Sequence, residues 1–185
     1  MTATRETILQ TARSVCKAIA GTSALTDAQV RVWDDPGPRP SSAYLAVNVQ
    51  DVRGLGYDEK IPKLATGGAA LDYTGRGARA ASVSIHGFGS GADEWLENIR
   101  SRLALDAARL ILDAAAVDLC NPGTVIYAPT RREQAIEQHW ILDLEASFIQ
   151  KVVETVPFAV TSTVNTTLHD DLSNFTTSQT ISLTP

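Results

Sequence analysis

The stretch SVSIHGFGSGADEWLENIRSRL, from Ser82 to Leu103, contains the junction on which the fold depends. Val83 and Ile85 alternate with serines, and this pattern predicts a half-buried strand. Glycines follow, and Asp93 and Glu94 then stand where carboxylates favour the positive end of a helix. The stretch therefore predicts a strand, a glycine-rich turn and a helix in close succession.

The turn has two chemical alternatives. An oxyanion loop of an acyl hydrolase would also require a serine in a Gly-x-Ser-x-Gly elbow, and the sequence has no such motif. A phosphate-binding loop would require a different glycine spacing and a lysine, and Asp93 and Glu94 would repel the anion. We therefore expect the turn to be structural.

Helical and strand patterns continue on both sides of this junction. Residues 4–20 predict an amphipathic helix that Thr4 caps, and an apolar stripe predicts one long helix over about Ala92–Ala116. The predicted strands are Ala43–Val52, Arg79–His86, Thr124–Ala128, Gln138–Thr155 and Phe158–Leu168, with a reversal at Val156-Pro157-Phe158 that pairs the last two. We expect a core in which the helix meets the sheet at Trp95, Leu103, Trp140, Leu144 and Phe148.

These elements predict an α+β fold in which a mixed or antiparallel sheet of about four to five strands is packed by the long helix and the N-terminal helix. Residues 53–78 carry six glycines and no sustained period. We therefore expect them to form a long loop. Loops of this length are usually functional or disordered. The predicted organisation is a single domain over residues 1–168 followed by a Ser/Thr-rich tail over 169–185.

Composition restricts the function. The chain has 185 residues and a net charge of -5; residues 1–80 hold 10 Lys/Arg and 8 Asp/Glu, against 6 and 13 in residues 81–185. An acidic chain is poorly suited to grip nucleic acid, since phosphate contacts supply most of that affinity. No apolar run has the length of a membrane span, and the N-terminal residues lack the apolar region of a secretion signal.

Neither catalysis nor metal binding is indicated by the residue pattern. His86, His139 and His169 are scattered along the chain, and neither Cys16 nor Cys120 lies near a histidine in sequence. Metal-ligand spacing is therefore missing. We predict no catalytic residue, no metal site and no cofactor.

In order, several stretches resemble the neck or tail terminator proteins of tailed bacteriophages: PGPRPSSAYLAVNV, RAASVSIHGFGSGADEWLENIRSRL and HWILDLEASFIQKVVETVPFAVTSTVNTTL. The resemblance covers residues 4–168 and lies in the order and spacing of these stretches. It implies a structural, non-enzymatic virion protein of the phage neck, assembled in the host cytoplasm.

The resemblance also implies partners. It implies a homo-oligomeric ring, usually a hexamer, at the head-proximal end of the tail, where it ends tail-tube polymerisation and docks to the head connector or stopper protein. In a contractile phage the ring would also meet the sheath protein. DNA would pass through the channel without sequence-specific binding, and no membrane is involved.

Within this assembly we interpret the glycine-rich loop as an interface. Its candidate residues are Arg53, Tyr57, Lys60, Lys63, Tyr73 and Arg76, whose basic groups would meet acidic surface on a neighbouring subunit or the tail tube. For the loop, the alternative is a decorative role. For the whole protein, the alternatives are another head-tail connector or tail component, and a cellular small-molecule-binding domain or enzyme.

Overall fold

The computed structural model describes residues 4–64, 70–132, 135–157, 161–170 and 173–182. Over these residues the chain forms three helices and eleven strands, which confirms the α+β class. The helices are α1 (Arg5–Ile19), α2 (Ala92–Arg102) and α3 (Asp106–Ala115). The strands are β1 (Val30–Val32), β2 (Tyr44–Gly54), β3 (Glu59–Leu64), β4 (Ala70–Phe88), β5 (Val117–Cys120), β6 (Ile126–Tyr127), β7 (Thr130–Arg132), β8 (Ala135–Glu137), β9 (His139–Pro157), β10 (Thr161–Asp170) and β11 (Ser173–Ser182).

Seven of these strands form one mixed sheet. Its order is β1-β2-β4-β9-β5, while β3 pairs with β4 and β6 pairs with β9. The pair β1–β2 is parallel, and the pairs β2–β4, β3–β4, β5–β9 and β6–β9 are antiparallel. The sheet exceeds the expected four to five strands because short segments such as β6 join its margins.

One face of this sheet packs on the helices. Thr4 caps α1 through its hydroxyl, which accepts a hydrogen bond from the Thr7 amide, as predicted. The predicted facing of β9 is also confirmed. Alternate β9 side chains contribute to the main core with residues of β2, β4 and all three helices. They are Leu142, Leu144, Ala146 and Phe148, with Trp140 packed partly buried against them. Of the other predicted core residues, Leu103 is buried and Trp95 is partly buried.

The glycines between β4 and α2 have a structural role. Gly89 and Gly91 adopt φ angles of +86° and +85°, in the left-handed region that glycine tolerates best. The Gly89 amide donates to the Gln138 carbonyl across 3.0 Å. The turn therefore joins strand to helix through backbone conformations that other residues rarely adopt, and Asp93 and Glu94 occupy the first turn of α2 as expected.

The predicted long helix is divided. It breaks between Arg102 and Asp106, where Leu105 has an extended backbone at φ -79° and ψ 157°. The Arg102 guanidinium donates to the Gly21 carbonyl at the end of α1, across 3.1 Å. This tertiary contact lies at the end of α2, and after the break α3 packs on α1. Neither Gly nor Pro marks the break in the sequence.

The expectation of a loop over residues 53–78 is wrong for most of its length. Gly54 still belongs to β2, and β3 pairs with residues 71–76 of β4. The described residues of β3 are exposed and residues 72–75 of β4 are half-buried, so the hairpin has no alternation of buried and exposed positions that a sequence pattern could reveal. Residues 65–69 of the predicted loop lie outside the described residues.

The predicted pairing after β9 is also corrected. β10 pairs with β11, from Thr161 opposite Ser182 to Asp170 opposite Ser173, and not with β9. Residues 173–182 of the predicted tail are thus a strand. The chain does not reverse at Val156 and Pro157 as predicted, because both residues still belong to β9. Phe158, the third residue of the predicted reversal, lies outside the described residues.

Contacts divide the chain into two compact units. The first comprises Met1–Asp58 and Gly77–Lys151, and the second comprises Glu59–Arg76 and Val152–Pro185. The first unit holds the helices and the main core. The second includes β3, β10 and β11. The single domain over 1–168 with its tail stays a prediction.

Candidate functional site

In the first unit, a cluster of aromatic and histidine side chains lies on the sheet face away from the helices. We call Trp33, Tyr44, His86, Phe88 and His139 the aromatic–histidine cluster. The rings of Phe88 and His139 are stacked, with centroids 4.4 Å apart and planes inclined by 5°. Trp33 lies over His86 at 4.1 Å, and Tyr44 over Phe88 at 4.9 Å. Tyr44, Phe88 and His139 are buried, so the cluster is accessible to a partner mainly at Trp33.

Two histidines of the cluster form a hydrogen-bonded pair. Nδ1 of His86 lies 3.0 Å from Nε2 of His139, and Nδ1 of His139 lies 3.2 Å from the Thr130 hydroxyl. One nitrogen of the 3.0 Å contact must donate and the other must accept. The contact therefore requires that at least one of the two imidazoles be neutral.

Burial favours the neutral state of both rings. It lowers the pKa of His86 to about 4, with a smaller contribution from His139 and an opposing one from Asp143. The pKa of His139 is also lowered, mainly by burial. The pair is therefore neutral at pH 7, which suits the hydrogen bond between the rings and their stacking.

A shallow pocket of about 140 Å³ adjoins this cluster. Trp33, Tyr44, Phe88 and Arg39 contribute to its wall. The Arg39 guanidinium lies 5.7 Å from the Phe88 ring centroid, in a cation–π contact, and 3.5 Å from Glu137. Trp33 is 41% exposed. An aromatic wall with a guanidinium rim can accept one side chain of a partner protein.

The same sheet face becomes polar farther along β4 and β9. Ser84 donates to Asp143 across 2.7 Å, and Glu145 accepts from Asn121 across 3.0 Å and from Arg53 across 3.1 Å. The bonds from Asn121 and Arg53 lower the pKa of Glu145. Hydrogen bonding within the sheet explains these carboxylates.

Two of the predicted interface residues lie in the first unit. Arg53, on β2, pairs with Glu145 at 3.1 Å and leaves 68% of its side chain exposed. Tyr57 is fully exposed, at 103% of its reference area. Arg53 is thus partly engaged within its own chain, while Tyr57 presents its whole ring to solvent.

The other four lie on the β3–β4 hairpin of the second unit. Lys63 stands opposite Asp72, and Arg76 opposite Glu59. Lys60 and Tyr73 occupy the intervening positions, and therefore the opposite face of the hairpin. Lys60, Lys63 and Arg76 are exposed and Tyr73 is half-buried. The hairpin thus combines two basic residues and two acidic ones on one face, with Lys60 and Tyr73 on the other.

Sequence reasoning missed the aromatic–histidine cluster. It treated the histidines as scattered, but His86 and His139 meet across neighbouring strands 53 residues apart in the chain. The only local signal is the two-residue spacing of His86 and Phe88, which places both on one strand face. Among the described residues, no group of three or more His, Cys, Asp or Glu side chains could hold a metal ion.

Comparison with known proteins gives one family. The family model described as phage neck terminator protein matches residues 7–171. No match was found among curated proteins. Within the part of the chain that the structure describes, no helix is both long and apolar enough to span a membrane.

Proposed function

Because this chain belongs to the phage neck terminator family, whose members are structural proteins of the bacteriophage tail, we propose that it caps the head-proximal end of the tail. There it forms a ring, a hexamer by our proposal, that ends polymerisation of the tail tube and joins the tail to the head connector or stopper protein. In a contractile phage the ring also meets the sheath. The family match over residues 7–171 carries this proposal.

Exposed apolar side chains support an assembled state. Val52, Leu55 and Tyr57 are exposed in the first unit, and Ile61, Val152 and Val153 in the second. Apolar side chains that are exposed in one subunit can be covered by a neighbour in an assembly. A ring subunit needs two different interaction surfaces, since a head-to-tail contact joins unlike faces.

The six predicted interface residues have different parts in this proposal. Tyr57 inserts between neighbouring subunits or into the tail tube, because it is fully exposed and aromatic rings dominate interface energetics. Lys60, Lys63 and Arg76 meet acidic surface of a neighbour. Arg53 lies at the margin of the interface because it already pairs with Glu145. Tyr73 also lies at the margin because it is half-buried.

The charge distribution suits a DNA channel. Residues 81–185 hold 13 Asp/Glu against 6 Lys/Arg. If this part of the chain lines the channel, its negative potential repels DNA phosphates, and DNA passes without being bound. The protein assembles in the host cytoplasm and acts in the virion.

The test is deletion of the gene in the phage, with electron microscopy of the lysate. Without a terminator, tail tubes are expected to have uncontrolled length and to remain unjoined to heads, and a plasmid-borne copy is expected to restore normal particles. Tails of normal length beside unjoined heads would instead indicate a connector or stopper. Normal infectious particles would overturn the proposal.

A further inference from the structure

Strand β9 has an open backbone edge in the second unit. β5 and β6 pair with residues 140–148 of β9 on the side opposite β4. The structure describes no strand paired with Val152–Pro157 on this same side. An unpaired strand edge presents a row of backbone donors and acceptors to any further strand.

Bonds elsewhere in β9 indicate which backbone groups face this edge. On the β5 and β6 side, the carbonyls of His139 and Asp143 accept from Ala128 and Gly123 at 2.8 and 2.9 Å. Because backbone groups alternate along a strand, odd positions face that side. The N–H and C=O groups of Val153 and Thr155 therefore point to the open edge. The Val152 carbonyl agrees with this alternation. Its oxygen lies 3.7 Å from the position that a Cβ on Gly75 of β4 would occupy, so this even position faces β4.

The same unit holds a hairpin that lacks a larger sheet. β10 and β11 form a two-stranded sheet over ten residue pairs. A two-stranded hairpin is marginally stable in water without further partners. β11, SNFTTSQTIS, contains no charged residue and no proline, which are the residues that usually block pairing at an edge.

We propose that β11 of a second copy of this chain adds to the open edge of β9 at Val152–Pro157. This inference rests on the ring proposed above. The chain carries a strand that can be donated and a different edge that can accept it, so the contact is head-to-tail and gives a ring if the rotation between successive copies closes. Strand addition satisfies the backbone groups of both edges and covers Val152 and Val153, which are 57% and 64% exposed.

Cross-linking between two distinguishable copies tests the pairing. In the full-length chain with Cys120→Ser, one copy carries Val153→Cys and the other Thr177→Cys; the remaining Cys16 is fully buried. A short bis-maleimide reagent is expected to give a cross-linked dimer in the mixture at several-fold higher yield than in either copy alone. A chain that carries both cysteines and cross-links only within itself at high dilution would overturn the proposal. So would a mixture that gives no dimer.

A proline at the edge gives a second, independent measurement. Val153→Pro removes an N–H that points away from β4, so the existing ladder is retained while strand addition is blocked. Its matched control, Val153→Thr, keeps the N–H and the β-branched shape. Light scattering is expected to show at least a tenfold weaker self-association for Val153→Pro and wild-type association for Val153→Thr, with circular dichroism checking the fold.

Equal association of the two variants would overturn the proposal, and if Val153→Pro does not fold, the cross-linking result decides. A chain that binds only tail-tube protein through this edge would also overturn it. These outcomes are separable from the fate of the proposed function. Tails that end normally with Val153→Pro would refute strand addition alone, whereas normal tails without the gene would refute the terminator role.

Discussion

His86 and His139 share one hydrogen bond, with Nδ1 of the first 3.0 Å from Nε2 of the second, beneath the exposed ring of Trp33. The two residues come from neighbouring strands, β4 and β9. Their rings are also stacked, with centroids 5.2 Å apart. The pair thus links the two central strands of the sheet on the face away from the helices.

The pair predicts that stability falls as the pH is lowered from 7 to 5. The pKa of His86 is about 4 in the folded chain, below its ordinary value of 6.5, so the unfolded chain binds more protons over this interval. The expected loss in the free energy of unfolding from His86 is about 1 kcal/mol, since the full shift corresponds to about 2 kcal/mol and solvent screens a ring that is only partly buried. Urea denaturation at pH 7, 6 and 5 measures it.

The variant His86→Gln is the comparison for this experiment. It is expected to be less stable at pH 7 but to lose about 1 kcal/mol less on acidification. In the part of the chain that the structure describes, four carboxyl groups have lowered pKa values and lose their stabilising contribution only at lower pH: Asp27, Asp35, Asp58 and Glu145. An unchanged pH dependence in His86→Gln would refute the assignment.

The facing of β9 predicts different costs for two substitutions seven residues apart. Leu142 is fully buried in the core, and Leu142→Ala is expected to lower the free energy of unfolding by about 2–5 kcal/mol through lost burial and a cavity. Ile149 is 53% exposed, and Ile149→Ala is expected to change it by about 0.5 kcal/mol or less. Denaturant titration of both variants checks the difference, and comparable losses would contradict this facing.

The turn between β4 and α2 predicts unequal effects at two glycines with the same backbone conformation. A Cβ at Gly89 would lie 3.1 Å from the Ala43 Cα, whereas a Cβ at Gly91 would meet nothing within 4 Å. Gly91→Ala is therefore expected to cost about 1–2 kcal/mol from the left-handed backbone alone. Gly89→Ala is expected to cost more, because the Ala43 backbone must also move. Equal melting temperatures would show that the close approach has no energetic consequence.

The β3–β4 hairpin is predicted to serve assembly more than folding of the first unit. Deleting Ile61–Leu71 is expected to leave the near-ultraviolet spectrum of the chain close to wild type, since the described core residues of the first unit lie outside this segment. Ring formation or attachment to the tail tube is expected to weaken, as measured by light scattering and virion yield. Normal infectious particles from this deletion would indicate a decorative hairpin.

Charge removal separates the basic groups from the hairpin itself. Lys60→Gln, Lys63→Gln and Arg76→Gln together are expected to weaken assembly while the hairpin is retained, because glutamine opposite Asp72 and Glu59 creates no like-charge pair. The control makes the same change at Arg100, Arg109 and Arg131, three exposed basic residues outside the hairpin. If both triple variants assemble equally well, the basic side chains have no specific part in the interface.

The sequence by itself determined the elements whose patterning is local. Thr4 and the helical spacing after it predict α1, because a cap and its amide lie within one turn. The buried face of β9 follows from a two-residue period between Leu142 and Phe148. The glycine-rich turn followed by Asp93 and Glu94 predicts the start of α2 for the same reason: the interacting groups are close along the chain.

Tertiary structure decided what depends on residues distant in sequence. α2 ends at Arg102, whose guanidinium reaches the carbonyl of Gly21, although the apolar stripe continues into α3. β3 and β10 acquire their partners through backbone hydrogen bonds, which all residues except proline can form, so composition does not identify the partner. His86 and His139 meet only because β4 and β9 are neighbours in the sheet. Periodicity reports which face of an element is buried, but the choice of what lies against that face is a property of the whole chain.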